Sequence, residues 1–104
     1  MLYIIYQEDK DGAEAIREAT RERHLAYLDR HKDILVLGGA LLADDGGKRT
    51  GSCLLINVPS RAAAEAFSRE EPFRAAGLFK TVLISRMRRG QWNPGAAPKT
   101  PEGN

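Results

Sequence analysis

Two short stretches hold the residue types from which acid–base chemistry can be built. One is Arg23-His24-Leu25-Ala26-Tyr27-Leu28; the other is Glu70-Glu71-Pro72-Phe73, followed by Ala76-Gly77-Leu78-Phe79. Almost half the chain separates the histidine from the carboxylates, so neither can be the other's local capping partner. Only the fold could bring them together. One imidazole beside one carboxylate is the smallest set of groups able to move protons near neutral pH. His24 is the candidate catalytic acid or base, since an ordinary histidine titrates at about pH 6.5. Glu71 is the candidate that would orient the ring, fix its tautomer and stabilise the imidazolium, with Glu70 as the neighbouring alternative. A structural reading stands beside this one. His24 would then be a half-buried histidine with one ring nitrogen satisfied. Glu71 would only mark the start of a short turn led by Pro72, where a negative charge is worth about 0.3–1 kcal/mol. Aspartate serves such a cap better than glutamate, which weakens the capping explanation slightly.

Three further residues are candidates for binding a substrate. Arg23 could hold an anionic group, or it could pair with Glu71 or Asp29. Ser52 follows Gly51 at a strand start and could donate a hydrogen bond to a ligand, or be satisfied by backbone. Tyr27, like Tyr3 and Tyr6, could line a cavity, although a small core needs no ligand to explain its aromatic residues. His31 lies seven residues beyond His24. On a helix that is a rise of about 10 Å, too far for two ligands of one zinc ion. There is no HExxH and no paired-cysteine spacing, so no metal is expected. Gly38-Gly39 and Gly46-Gly47 lack phosphate-loop spacing before a helix, and no cofactor is expected. Cys53 reads as a small core residue.

The elements that must position these groups follow from periodicity and punctuation. Residues 2–7 read as a strand. Asp11 and Glu14 have capping-box spacing and predict a helix from about Gly12 to about His31. Ile16, Ala19, Thr20, Tyr27 and His31 would face inward, and Glu14, Glu18, Glu22 and Asp29 outward. Ile34 to Leu37 is a second strand, with a bulge or close packing at Gly38-Gly39. Asp44-Asp45-Gly46-Gly47 is a turn. Gly51 to Val58 is a third strand, and Ser60 caps a helix from Arg61 to about Ser68. Pro72 holds Glu71 in an extended conformation, residues 73–76 make one helical turn, and Gly77 closes it. Lys80 to Arg88 is the fourth strand. Residues 1–90 therefore form one domain. Residues 91–104, rich in proline and glycine, read as an arm or disordered tail in which Trp92 could act as a pin.

The order βαββαβ predicts an α+β, ferredoxin-like sandwich with an antiparallel four-stranded sheet. The strands carry apolar residues on both faces, as in Leu2 and Ile4 against Tyr3 and Ile5. A sheet apolar on both sides needs two covers, and two helices on one side supply one. A second copy of the chain, sheet to sheet, is the expected cover, making the protein a homodimer.

At 104 residues the chain is long enough for one domain and too short for two. An apolar content of 42% and a charged content of 29% describe an ordinary globular protein. The net charge of +2 does not argue for nucleic acid, and the basic cluster of Lys80, Arg86, Arg88 and Arg89 reads as a solvated strand end. A single cysteine excludes an intrachain disulfide and suits a reducing cytoplasm. The apolar start is cut short by Gln7-Glu8-Asp9-Lys10, so neither a signal peptide nor a membrane span is expected.

In order and spacing, four pieces resemble the YciI-like, or YCII-related, family over about residues 1–88. They are Arg23-His24-Leu25-Ala26-Tyr27-Leu28, Gly39-Ala40-Leu41, Gly51-Ser52, and Glu71-Pro72-Phe73 with Ala76-Gly77-Leu78-Phe79. The resemblance implies a dimeric α/β barrel of ferredoxin-like protomers. Its proposed active-site pair is the histidine of the first helix and an aspartate before the proline. His24 matches the first, and Glu71 stands at the second, one methylene longer. The carboxylate can thereby be displaced by more than about 1 Å, against a catalytic placement tolerance of about 0.5 Å. Ala40 stands where the family has a proline. The resemblance implies a small cofactor-independent enzyme that performs elimination, isomerisation or hydrolysis on a small organic molecule. A dehydrochlorinase acting on a chlorinated hydroxyquinol is among the activities attached to the family. The alternative is a non-catalytic dimeric module that binds a small molecule or a partner. The cleft is expected between the sheet and the first helix, or near the dimer interface.

Overall fold

The computed structural model describes residues 1–103. Strand β1 spans Leu2–Asp9, helix α1 Glu14–Arg30, β2 Leu35–Leu42 and β3 Arg49–Asn57. Helix α2 spans Arg61–Glu70, the short α3 Pro72–Ala75, and β4 Phe79–Met87. The four strands form one antiparallel sheet in the order β2-β3-β1-β4. This is the α+β, ferredoxin-like arrangement expected from the sequence.

Alternation along β1 divides the sheet into two faces. Tyr3, Ile5 and Gln7 are buried on one, whereas Leu2, Ile4 and Tyr6 point to the other. Ile5 sits between Leu54 and Ile84 in register, at the centre of the core. Tyr3, Ile56, Val58, Tyr27, Ala64 and Phe67 complete that core between the sheet and the helices. A second cluster of Ala13, Phe73, Leu78 and Phe79 holds α3 to the rest. The opposite sheet face is left uncovered by the described residues: Leu37 is 69% and Leu83 55% exposed.

The start of α1 corrects the capping-box expectation. Gly12 takes a left-handed backbone (φ +69°), and Ala13, not Asp11, occupies the N-cap position, with no side-chain cap. The kink at Gly12 moves Asp11 out of reach of the first-turn amides. The inward stripe of α1 is also rotated from its expected setting, since Ala19 is exposed and Leu28 packs on the core. At the other end, His31 Nδ1 bonds the Tyr27 carbonyl at 2.8 Å, within the last turn of the helix. Ser60 caps α2, its side chain accepting from Ala63 N at 3.1 Å. Beyond β4 the chain is exposed and makes one 3-10 turn, Pro94–Ala96. Trp92 does not enter the core; it is 55% exposed, with the Arg89 guanidinium 5.4 Å from its ring centre.

Candidate functional site

Glu71 is placed by its neighbours in sequence. Pro72 keeps it extended (φ −65°, ψ 127°) at the N-cap of α3. Its Oε1 accepts from Phe73 N at 3.2 Å and its Oε2 from Arg74 N at 3.3 Å. The far end of α3 is closed equally firmly. Gly77 (φ +79°) donates to Arg74 O at 3.0 Å and Leu78 N donates to Phe73 O at 3.1 Å, while Phe73 and Leu78 share one apolar cluster. That pattern is a Schellman closure, so a four-residue helix is fixed at both ends. The result is a carboxylate only 1% exposed, held on a rigid turn.

The same Oε1 receives Nδ1 of His24 from the middle of α1. Capping and pairing are therefore not alternatives for Glu71, because one side chain does both. The His24 ring lies flat on Phe73, with centroids 3.8 Å apart and planes 14° from parallel. The Arg17 guanidinium lies 4.9 Å from the centre of the Phe73 ring. An ionised carboxylate only accepts, so Glu71 selects the tautomer with the proton on Nδ1. In the neutral ring that tautomer leaves the lone pair on Nε2.

His24 is 12% exposed, and its opening is a cavity of about 260 Å³ between α1 and the β2–β3 edge. Ser52, Gly39, Ala40, Arg21 and Arg49 line it with His24. This is one of the two expected places, between the sheet and the first helix. Gly51 is required beside it: a Cβ there would come within 2.0 Å of the Gln7 carbonyl oxygen. Arg17 grips Asp9 through two bonds of 3.0 and 2.8 Å and also donates to Gly51 O at 3.2 Å, tying α1 to the sheet below the cavity. A larger hollow of about 420 Å³ adjoins the end of β1, but its wall carries both signs of charge and does not include His24. Among the described residues no three His, Cys, Asp or Glu side chains gather to hold a metal ion.

Two of the expected binding residues lie elsewhere. Arg23 is exposed on α1, outside the cavity, and pairs with neither Glu71 nor Asp29 among the described residues. It points away because the side of α1 that packs inward runs through Thr20, His24 and Tyr27. Tyr27 is buried in the core and donates its hydroxyl to Phe67 O at 2.8 Å, so it backs the pair rather than lining the cavity. Burial pushes its phenol up to about 12, with Glu70 and Glu71 adding in the same direction. A near-ultraviolet titration should therefore show a phenolate signal centred near pH 12 that Tyr27→Phe removes. Loss of no such late-titrating signal in the variant would refute that placement. The reading from sequence missed Arg17, Arg21 and Arg49. The first two were available from spacing, lying seven and three residues before His24 on the same helical side.

Residues 1–88 match the YCII-related domain. The chain belongs to the YCII-related family. Protein YciI of Escherichia coli is 34% identical over 91 residues, covering 81% of this chain and 93% of that one. An uncharacterized protein of Haemophilus influenzae is 28% identical over the same coverage. Among solved structures, 5-chloro-2-hydroxyhydroquinone dehydrochlorinase (TftG) from Burkholderia phenoliruptrix AC1100, in complex with 2,5-dihydroxybenzoquinone, superposes with a TM-score of 0.81. It is 33% identical, and the match covers 86% of this chain and 96% of that one.

Proposed function

We propose that this YCII-related chain is a small cofactor-independent enzyme in which His24, held by Glu71, transfers protons on a small organic molecule. The observation that carries this reading is the junction of a buried, fixed carboxylate with a histidine that opens onto a cavity. In an elimination, Nε2 takes a proton from the bound molecule and the leaving group departs with its electron pair. Glu71 stabilises the imidazolium until the proton passes to solvent, so the net loss is HX. The likeness to a dehydrochlorinase supports this choice over isomerisation or hydrolysis. The test is chloride release from 5-chloro-2-hydroxyhydroquinone and from a panel of halogenated phenols. Binding of these compounds with every one recovered unchanged would sink the enzyme reading in favour of a binding module.

The functional unit in this proposal is a homodimer, sheet against sheet, working in a reducing compartment such as the cytoplasm. Cys53, Tyr6 and Leu83 stand abreast across the uncovered face, with Leu37 and Leu55 beside them. Such a patch on a monomer favours association. Light scattering should give twice the chain mass for the wild type and the single mass for Leu83→Glu. Burial already pushes the Cys53 thiol up. Its reaction with a thiol reagent should be slow in the wild type and faster in Leu83→Glu. A monomeric wild type would end the dimer proposal. No helix among the described residues is long and apolar enough to cross a membrane.

A further inference from the structure

Gln7 and Ser52 face each other in register across β1 and β3. Gln7 is 1% exposed, a costly place for an amide without a partner, and its Nε2 donates to Ser52 Oγ at 3.0 Å. A hydroxyl has one hydrogen and two lone pairs. Gln7 occupies a lone pair, and no acceptor among the described residues takes the Ser52 hydrogen. Ser52 lines the cavity, so its O–H is available there as a donor with its oxygen already fixed from behind.

The charges around the same cavity are unequal. Arg17, Arg21 and Arg49 line it, against Glu18 alone. Asp9 neutralises Arg17 with a two-bond fork. Arg21, on α1, and Arg49, at the start of β3, form no ion pair among the described residues, so α1 and β3 each bring a free guanidinium to the cavity. Leu54, Leu28 and Phe73 supply apolar wall between them. The volume of about 260 Å³ lies at the small end for ligand sites and suits one ring or its equivalent.

We infer that this cavity selects a small organic anion, gripped by Arg21 and Arg49 and aligned by the Ser52 hydroxyl, with Gln7 as the positioning residue behind Ser52. The inference rests on the cavity being the binding site of the proposed function, and it names the substrate class of that site. Carboxylates and acidic phenols or hydroxyquinones, whose O–H groups ionise near neutral pH, belong to that class; neutral ring compounds of equal size do not. Guanidinium groups suit such planar oxygen pairs because their N–H donors lie in a fork.

The test is calorimetric titration with two anions, 2,5-dihydroxybenzoquinone and salicylate, against their neutral counterparts, 2,5-dimethoxybenzoquinone and salicylamide. Expected is preference for each anion by at least about tenfold, falling as salt is raised. Arg49→Gln and Arg21→Gln should each weaken anion binding about tenfold or more and leave the neutral compounds unaffected. Lys32→Gln, which removes an exposed charge just past α1, should bind as wild type. Ser52→Ala and Gln7→Met should each narrow the ratio between anion and neutral compound, a readout that a purely structural effect would not move. Binding is read without turnover, so His24→Gln separates the two ideas: it should lose catalysis and keep anion preference. Equal affinity for anions and neutral compounds overturns the inference, as does wild-type affinity in both arginine variants or no uptake of either anion.

Discussion

His24→Gln is expected to lower turnover by about 10²–10⁴-fold while the protein stays folded. Glutamine can still donate to Glu71 from its amide, so the buried carboxylate keeps a partner, but it offers no nitrogen that titrates near neutrality. His24→Ala should lose as much activity and, in addition, some stability. Truncation removes the ring that lies flat on Phe73 and leaves Glu71 with its two backbone donors alone. The expected cost is about 1–3 kcal/mol, the range for a buried polar group deprived of a partner. The near-complete burial of Glu71 is what sets that cost. Steady-state kinetics with chloride release, paired with urea unfolding, separates the two effects. Wild-type kcat in both variants would remove His24 from the chemistry.

Local signals were sufficient wherever one residue constrains its own backbone. Ser60 caps α2, Pro72 holds Glu71 extended, and Gly77 ends α3, all as the chain indicates. The order of strands and helices followed from the same punctuation. The meeting of His24 with Glu71 was visible only as a resemblance, because the contact spans 47 residues and no local pattern encodes it. The rotation of α1 was the least legible feature. Its inward side combines Thr20, His24 and Tyr27 with partly buried Ile16, Arg17 and Leu28, so no clean apolar stripe identifies it. Long-range anchors settle the setting instead: Arg17 on Asp9 and His24 on Phe73. That turn of the helix brings Arg17 and Arg21 to the cavity and leaves Arg23 outside. The capping box failed for a related reason. Spacing was satisfied, but the left-handed Gly12 sent Asp11 elsewhere.

Substitutions at Glu71 should separate its two tasks, and Glu71→Gln is expected to have the largest catalytic effect of the series. The glutamine amide has one oxygen and one NH2 group. Two backbone N–H groups and a protonated Nδ1 all seek an acceptor at this point. If the oxygen stays with the backbone amides, the NH2 group faces His24 and forces the tautomer with the proton on Nε2. The base is then lost with the shape preserved, and a wrong tautomer of this kind costs about 10⁴ in kcat in a serine protease. Glu71→Asp should behave in the opposite sense. The shorter side chain suits an N-cap and would tighten bonds that are now long, at 3.2 and 3.3 Å. It withdraws from His24 by about one C–C bond, ~1.5 Å. Stability should hold, and turnover should fall by about 10²-fold, the scale of a 1 Å misplacement. Glu71→Ala loses cap and partner together; the cap alone is worth about 0.5–2 kcal/mol. The expected ranking is therefore Asp above Gln in both stability and turnover, with Ala least stable. Should Gln and Ala both retain wild-type turnover, the carboxylate would be a helix cap and nothing more, and the proton-transfer reading would lose its second member.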